Sequence, residues 1–198
     1  MWSNVTQVLV FGHSFVRRLQ EDLDKHFDPR AKQNFNLASS GCVSLHGIGG
    51  RTVDKVFQYD LPFIKNQFPD IVILELGTND LSELSPETAG SRLEELVLFL
   101  KNDLHVSTLV LCQVINRNIS HSQTPDFAFN KKAAVLRQYL SVVLDKIPGI
   151  FLWEHRAFNK VGHTLLSCDG VHCNPQGQFV LYKSYRGAIL KALSSLNA

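Results

Sequence analysis

The sequence predicts an α/β domain in which a parallel sheet lies between two layers of helices. Three observations lead there. Apolar runs of strand length recur along the chain. They are continuously apolar rather than alternating, the mark of strands covered on both faces. Amphipathic helical patterns separate them, and strict alternation of strand and helix implies parallel pairing through right-handed crossovers.

The clear strand runs are Gln7–Phe11 (QVLVF), Ile71–Leu76 (IVILEL), Thr108–Val114 (TLVLCQV) and Ile150–Trp153 (IFLW). A weaker strand is expected at Phe35–Ala38, second in chain order, making about five in all. The first helix runs from Phe15 to Phe27, with Phe15, Leu19, Leu23 and Phe27 four residues apart. A second follows Thr52 and carries Val53, Val56, Phe57, Leu61 and Ile64 on its apolar face. Ser85 and Pro86 read as N-cap and first-turn proline of a helix through Leu93, Leu96, Val97, Leu100 and Leu104. Asp126–Lys146 is amphipathic, and Pro175 opens the last helix, reaching Leu190 and Leu193. The polar stretch Asn116–Thr124 is expected to be a loop beside the site.

A length of 198 residues fits a single domain spanning 1–198. Hydrophobic residues at 44% and charged residues at 19% give an ordinary globular balance. A formal charge of +2 offers no electrostatic case for nucleic acid or an anionic membrane as partner. No apolar run approaches the ~20 residues of a membrane helix. Met1–Gln7 lacks the basic start and apolar stretch of a signal peptide, so an intracellular, cytoplasmic protein is expected. Cys42, Cys112, Cys168 and Cys173 show no disulfide framework, and Cys112 reads as a small buried hydrophobe.

In folds of this class the reactive crevice opens at the carboxyl ends of the strands. Gly12-His13-Ser14 follows the first run. A serine there sits at a helix start, where it is placed as a nucleophile. By itself it reads more readily as the helix N-cap. Val16 replaces the second glycine of a Gly-x-Ser-x-Gly elbow, which argues against an α/β-hydrolase. His46-Gly47-Ile48-Gly49-Gly50-Arg51-Thr52 is too late and wrongly spaced for a dinucleotide loop. Asn79, in Gly77-Thr78-Asn79-Asp80, offers an amide N–H, or serves a turn. Asp169 and His172 share one loop near the end, as a general base with its orienting acid or as a structural turn. Together these residues put a hydroxyl, N–H donors and an acid–base pair at one sheet edge, the elements of acyl transfer.

The four blocks GHS (12–14), GIGGRT (47–52), GTND (77–80) and DGVH (169–172) resemble those of the SGNH, or GDSL-type, hydrolases. The resemblance covers nearly the whole chain. It implies a three-layer α/β/α, flavodoxin-like domain. It makes Ser14 the nucleophile, His172 its base and Asp169 the residue orienting that base. The implied oxyanion hole is the N–H of Ser14, the N–H of Gly50 and the side chain of Asn79, with Gly50 chosen because it directly precedes Arg51-Thr52. Implied substrates are small acyl esters, acetyl esters among them, with no metal or organic cofactor. His13 stands where the family has Asp. The GHSFVRRL form is also similar to divergent animal members, including esterase domains of retrotransposon open reading frames. Two other classes compete. One is a binding or scaffold domain that keeps the fold without activity. The other is a zinc site drawn from Cys168, His172, Cys173 and His163, which lacks a Cys-x-x-Cys pair and takes His172 from its role as base.

Overall fold

The structure is a computed structural model that describes residues 5–26, 34–37, 41–118 and 126–196. In chain order the elements are β1 (Gln7–Gly12), α1 (Ser14–His26), β2 (Cys42–Gly47), α2 (Val53–Lys55), a π-helical turn (Val56–Asp60) and α3 (Leu61–Asn66). Then come β3 (Ile71–Glu75), α4 (Thr78–Glu83), α5 (Pro86–Asn102), β4 (Thr108–Cys112), α6 (Asp126–Leu144), β5 (Ile150–Trp153), α7 (Arg156–Leu165) and α8 (Pro175–Leu196). The five strands pair in parallel in the order β2-β1-β3-β4-β5. The chain steps from β1 out to β2 and returns to β3 on the other side of β1. The switch point of the topology therefore lies between β1 and β3, where open α/β sheets bind ligands.

The central strands are apolar along most of their length because successive side chains enter different layers. Val8 and Val10 join Phe15 and Leu19 of α1 and Leu181, Tyr185 and Ala188 of α8. Leu9 and Phe11 join Val53, Leu93, Leu96, Leu136 and Leu140 on the opposite face. Side-chain caps fix helix starts, those of α5 and α8 among them. The Ser85 hydroxyl accepts the Thr88 N–H at 3.2 Å ahead of Pro86, as expected. Asn174 Oδ1 accepts the Gly177 N–H at 2.9 Å and starts α8 at Pro175.

Four local expectations are corrected. The second strand is Cys42–Gly47, not Phe35–Ala38. Phe35 and Asn36 have φ of 55° and 53°, left-handed values that no strand takes. Phe35 is nevertheless buried, stacked on Tyr182 at 4.8 Å, so its apolar signal was for core and not for sheet. The helix after Thr52 is three pieces rather than one, with Pro62 in the first turn of α3. Thr78–Glu83, the turn after β3, is a helix, and α7 is a helix the apolar pattern did not announce. The runs ending at Leu76 and Val114 are cut back to Glu75 and Cys112. Ala38, Phe27 and most of the loop before Thr124 lie outside the described residues. The four cysteines are free thiols, with Cys112 buried. No helix among the described residues is long and apolar enough to cross a membrane.

Gly47 ends β2 directly against α1, and a Cβ added there would overlap the backbone N of Arg17. Backbone cannot yield as a flexible side chain does. Gly47→Ala is expected to lower the unfolding free energy by about 3 kcal/mol or more, read as an earlier urea midpoint at unchanged slope.

Candidate active site

The site begins where β1 stops. Gly12 pairs with Gly47 on one side and Glu75 on the other. A Cβ at Gly12 would overlap the Glu75 carbonyl oxygen, so only glycine admits this approach. The His13 N–H donates to that same carbonyl at 3.2 Å, and the chain then turns into α1. The side chain that caps α1 is His13, whose Nδ1 accepts the Phe15 N–H at 3.4 Å. Ser14 is thereby released from the capping role and its hydroxyl faces His172.

The Ser14 hydroxyl lies 3.1 Å from His172 Nε2. On the other edge of the ring, His172 Nδ1 lies 2.7 Å from Asp169 Oδ2. Asp169 Oδ1 accepts the N–H groups of Val171 and His172, each at 2.9 Å. Partial burial pushes the Asp169 carboxyl up, but the bonds from the His172 ring and the two backbone N–H groups outweigh it and hold it at about 2. A permanently ionised Asp169 makes Nδ1 the protonated nitrogen and leaves Nε2 free to accept from Ser14. The loop carrying the pair is pinned by a bridge between Leu166 and Cys173, and by the Asn118 N–H donating to the Gly170 carbonyl at 2.8 Å.

The other predicted residues arrive from neighbouring strand ends. Gly77, with φ of 99°, turns the chain from β3 into α4. Asn79 Nδ2 donates to the Arg51 carbonyl at 2.8 Å, and Asp80 Oδ1 accepts the Val53 N–H at 2.9 Å. These two bonds tie the segment Arg51–Val53 after β2 to the first turn of α4 after β3. One amide N–H of Asn79 is spent on Arg51, leaving its second. Gly50 has φ of 69°, and among the described residues no acceptor is found for its N–H or for that of Ser14. Arg51 is itself held by Asp60, at 2.8 and 3.0 Å. The structure thus brings Ser14, Asp169 and His172 into hydrogen-bonded line, and sets Gly50 on the loop after β2 and Asn79 in the first turn of α4, past the two strands that flank β1.

The competing metal reading loses its central ligand. Both nitrogens of His172 are engaged, by Ser14 and by Asp169. The Cys173 thiol is buried, and that burial pushes it up to about 12. Cys168 is exposed, and the His163 side chain lies outside the described residues. A cavity of about 790 Å³ lined by Trp153, His155, Lys183, Ser184 and Lys191 lies along β5, three strands from Ser14. This cavity is thus remote from the aligned Ser14, His172 and Asp169 side chains.

Sequence reasoning missed a buried polar group directly behind the serine. Glu75 is fully buried, and its Oε2 lies 2.9 Å from His155 Nε2 and accepts the Tyr185 hydroxyl at 2.9 Å. Burial pushes Glu75 up, but the charge and hydrogen bond of His155, with His13 and Tyr185, more than reverse this and hold it below its ordinary value. Its other oxygen, Oε1, lies 3.9 Å from His13 Nε2. The available signal was a single acid inside an otherwise apolar strand.

A hydroxyl, an imidazole and a carboxylate in line at the switch point of a parallel sheet form a geometry suited to hydrolytic acyl transfer. The model of the GDSL-like lipase/acylhydrolase family matches residues 11–184, and the chain belongs to that family. Solved structures agree in fold. A putative acylhydrolase from Bacteroides fragilis is 19% identical, with a TM-score of 0.70 over 96% of this chain and 89% of that one. A GDSL-like lipase from Bacteroides thetaiotaomicron is 16% identical, with a TM-score of 0.72 over 97% and 91%. The acetyl xylan esterase AlAXEase is 19% identical, with a TM-score of 0.66 over 92% and 99%. A comparison with curated proteins gives no match. Family and neighbours together support a hydrolase.

His13 sets an acid limit on the fold. Burial lowers it from 6.5 to about 4, against the pull of Glu75. Between those values the unfolded chain holds the proton and the folded chain does not. Stability therefore falls as pH drops from 6.5 to about 4, by up to ~1.4 kcal/mol per pH unit from this one ring. Asp169 loses its contribution only lower, between 3.8 and about 2. Urea unfolding across pH 7 to 4 should show the first slope in the wild type and a shallower one in His13→Gln, where the His46 ring, also lowered by burial, still contributes.

Proposed function

We propose that this protein is a serine esterase that cleaves small acyl esters through an acyl-enzyme, with Ser14, His172 and Asp169 as its triad. The observation that carries the reading is the hydrogen-bonded line from Ser14 Oγ through His172 to Asp169, at 3.1 and 2.7 Å. Its members come from opposite ends of the chain, and a structural cap or turn needs no such partner.

His172 Nε2 takes the Ser14 proton as Oγ attacks the ester carbonyl. Asp169 holds the ring in the required tautomer and stabilises the imidazolium that forms. The N–H groups of Ser14 and Gly50 and the free amide N–H of Asn79 stabilise the oxyanion. His172 returns the proton to the leaving alcohol, and water cleaves the acyl-enzyme with His172 again as base. Short acyl groups, acetyl first, are the proposed donors, in keeping with neighbours described as an acetyl xylan esterase and an acetyl esterase.

A fluorophosphonate probe should label the wild type at Ser14 and leave Ser14→Ala unlabelled, with hydrolysis of p-nitrophenyl acetate lost in the same variant. Asp169→Asn should lower kcat about 10⁴-fold, as loss of the orienting carboxylate does in the Ser-His-Asp template. Asn79→Ala should cost about 10²–10³-fold in kcat. A wild type that neither labels nor hydrolyses the ester would leave a binding domain on this fold instead.

A further inference from the structure

We propose that Glu75 is a positioning residue for the nucleophile turn, acting through His13, so that residues 13 and 75 work only as a matched imidazole–carboxylate pair. The inference rests on the reading of Ser14 as nucleophile.

Tautomer assignment provides the first step. His13 Nδ1 accepts the Phe15 N–H, so it carries no proton, and the proton of the neutral ring sits on Nε2. That Nε2–H faces Glu75 Oε1 at 3.9 Å. Both atoms are buried, and among the described residues neither Nε2 nor Oε1 has a hydrogen-bond partner. The carboxylate therefore selects the tautomer that lets the ring cap α1.

The second step concerns what holds Glu75. His155 and Tyr185 both bind its Oε2, at 2.9 Å each, which aims Oε1 toward His13. His155 is held in turn by Ser184, 2.8 Å from its Nδ1, and Ser184 also accepts the Trp153 indole N–H at 3.0 Å. The brace thus runs from β5 and α8 through β3 to the residue next to Ser14. The backbone doubles it, since the His13 N–H bonds to the Glu75 carbonyl.

The third step is a charge argument. An aspartate at 13 would put a second carboxylate on the side of the turn that faces the buried Glu75. Like charges buried together cannot both stay ionised, so the turn would shift or one group would protonate. With Gln at 75 the same aspartate meets an amide and the conflict disappears. Imidazole with carboxylate and carboxylate with amide are each compatible, and the crossed pairing is not.

The test is a cycle of Glu75→Gln, His13→Asp and the double variant, with kcat and KM for p-nitrophenyl acetate and far-UV melting on each. His13→Asp is expected to lose about 100-fold in kcat with KM little changed, the size of effect that a small misplacement of a reacting group produces. Adding Glu75→Gln should return kcat to within about 3-fold of Glu75→Gln alone, a rescue that a merely structural role does not predict. Tyr185→Phe, which keeps the ring and removes one bond to Glu75, reads the same brace should His13→Asp fail to fold. It should lower kcat about 10-fold at constant KM. Additive losses in a wild type that labels at Ser14, or a Tyr185→Phe variant with unchanged kcat, overturn the positioning role alone. A wild type that does not label at Ser14 overturns the functional reading, and this one with it.

Discussion

Everything at the reactive edge depends on how closely three backbones approach at the end of β1. Gly12 lies between Gly47 and Glu75, and no side chain fits at either glycine. Because the sheet is parallel, all three strands end at the same edge. Their following loops then have no choice but to converge. The serine, the glycine loop and the asparagine are neighbours because β1 is central and its last residue has no Cβ. The residue types in the loops supply the chemistry, but the sheet supplies their proximity.

The last loop reaches the same edge by a different device. It follows α7 rather than a strand, and depends on the Leu166–Cys173 bridge and on Asn174, which donates to the carbonyls of Thr164 and Leu166 while capping α8. Asp169 uses both oxygens within four residues, so its carboxylate and the His172 ring are held together by their own loop. The geometry asked of the long-range contact is then a single distance, from Ser14 to His172.

Much of this was legible in the residues. Strands buried on two faces announce themselves by continuous apolar runs, and four of five did. β2 did not, because it is an edge strand in which Ser44 and His46 break the apolar run, while the buried Phe35 and Leu37 upstream mimic a strand from a turn. The site blocks were legible because each is local: a few residues whose spacing carries the meaning. Ser14 alone read as a helix cap, and only the structure shows that His13 does the capping and leaves the serine free. The brace behind it was not legible, since it joins residues 13, 75, 155, 184 and 185. Only the fold puts those positions side by side.

The separation of Ser14 from His172 by 158 residues has a consequence for synthesis. A ribosome completes β1, β2 and β3 long before it reaches the acid–base loop, so the nucleophile turn can form while the chain is still attached. The loop of Asp169 and His172 follows all five strands and precedes α8, whose Leu181, Tyr185 and Ala188 seal the layer under β1. Until His172 has been made and α8 packs under β1, Ser14 lacks the ring that it faces in the folded chain.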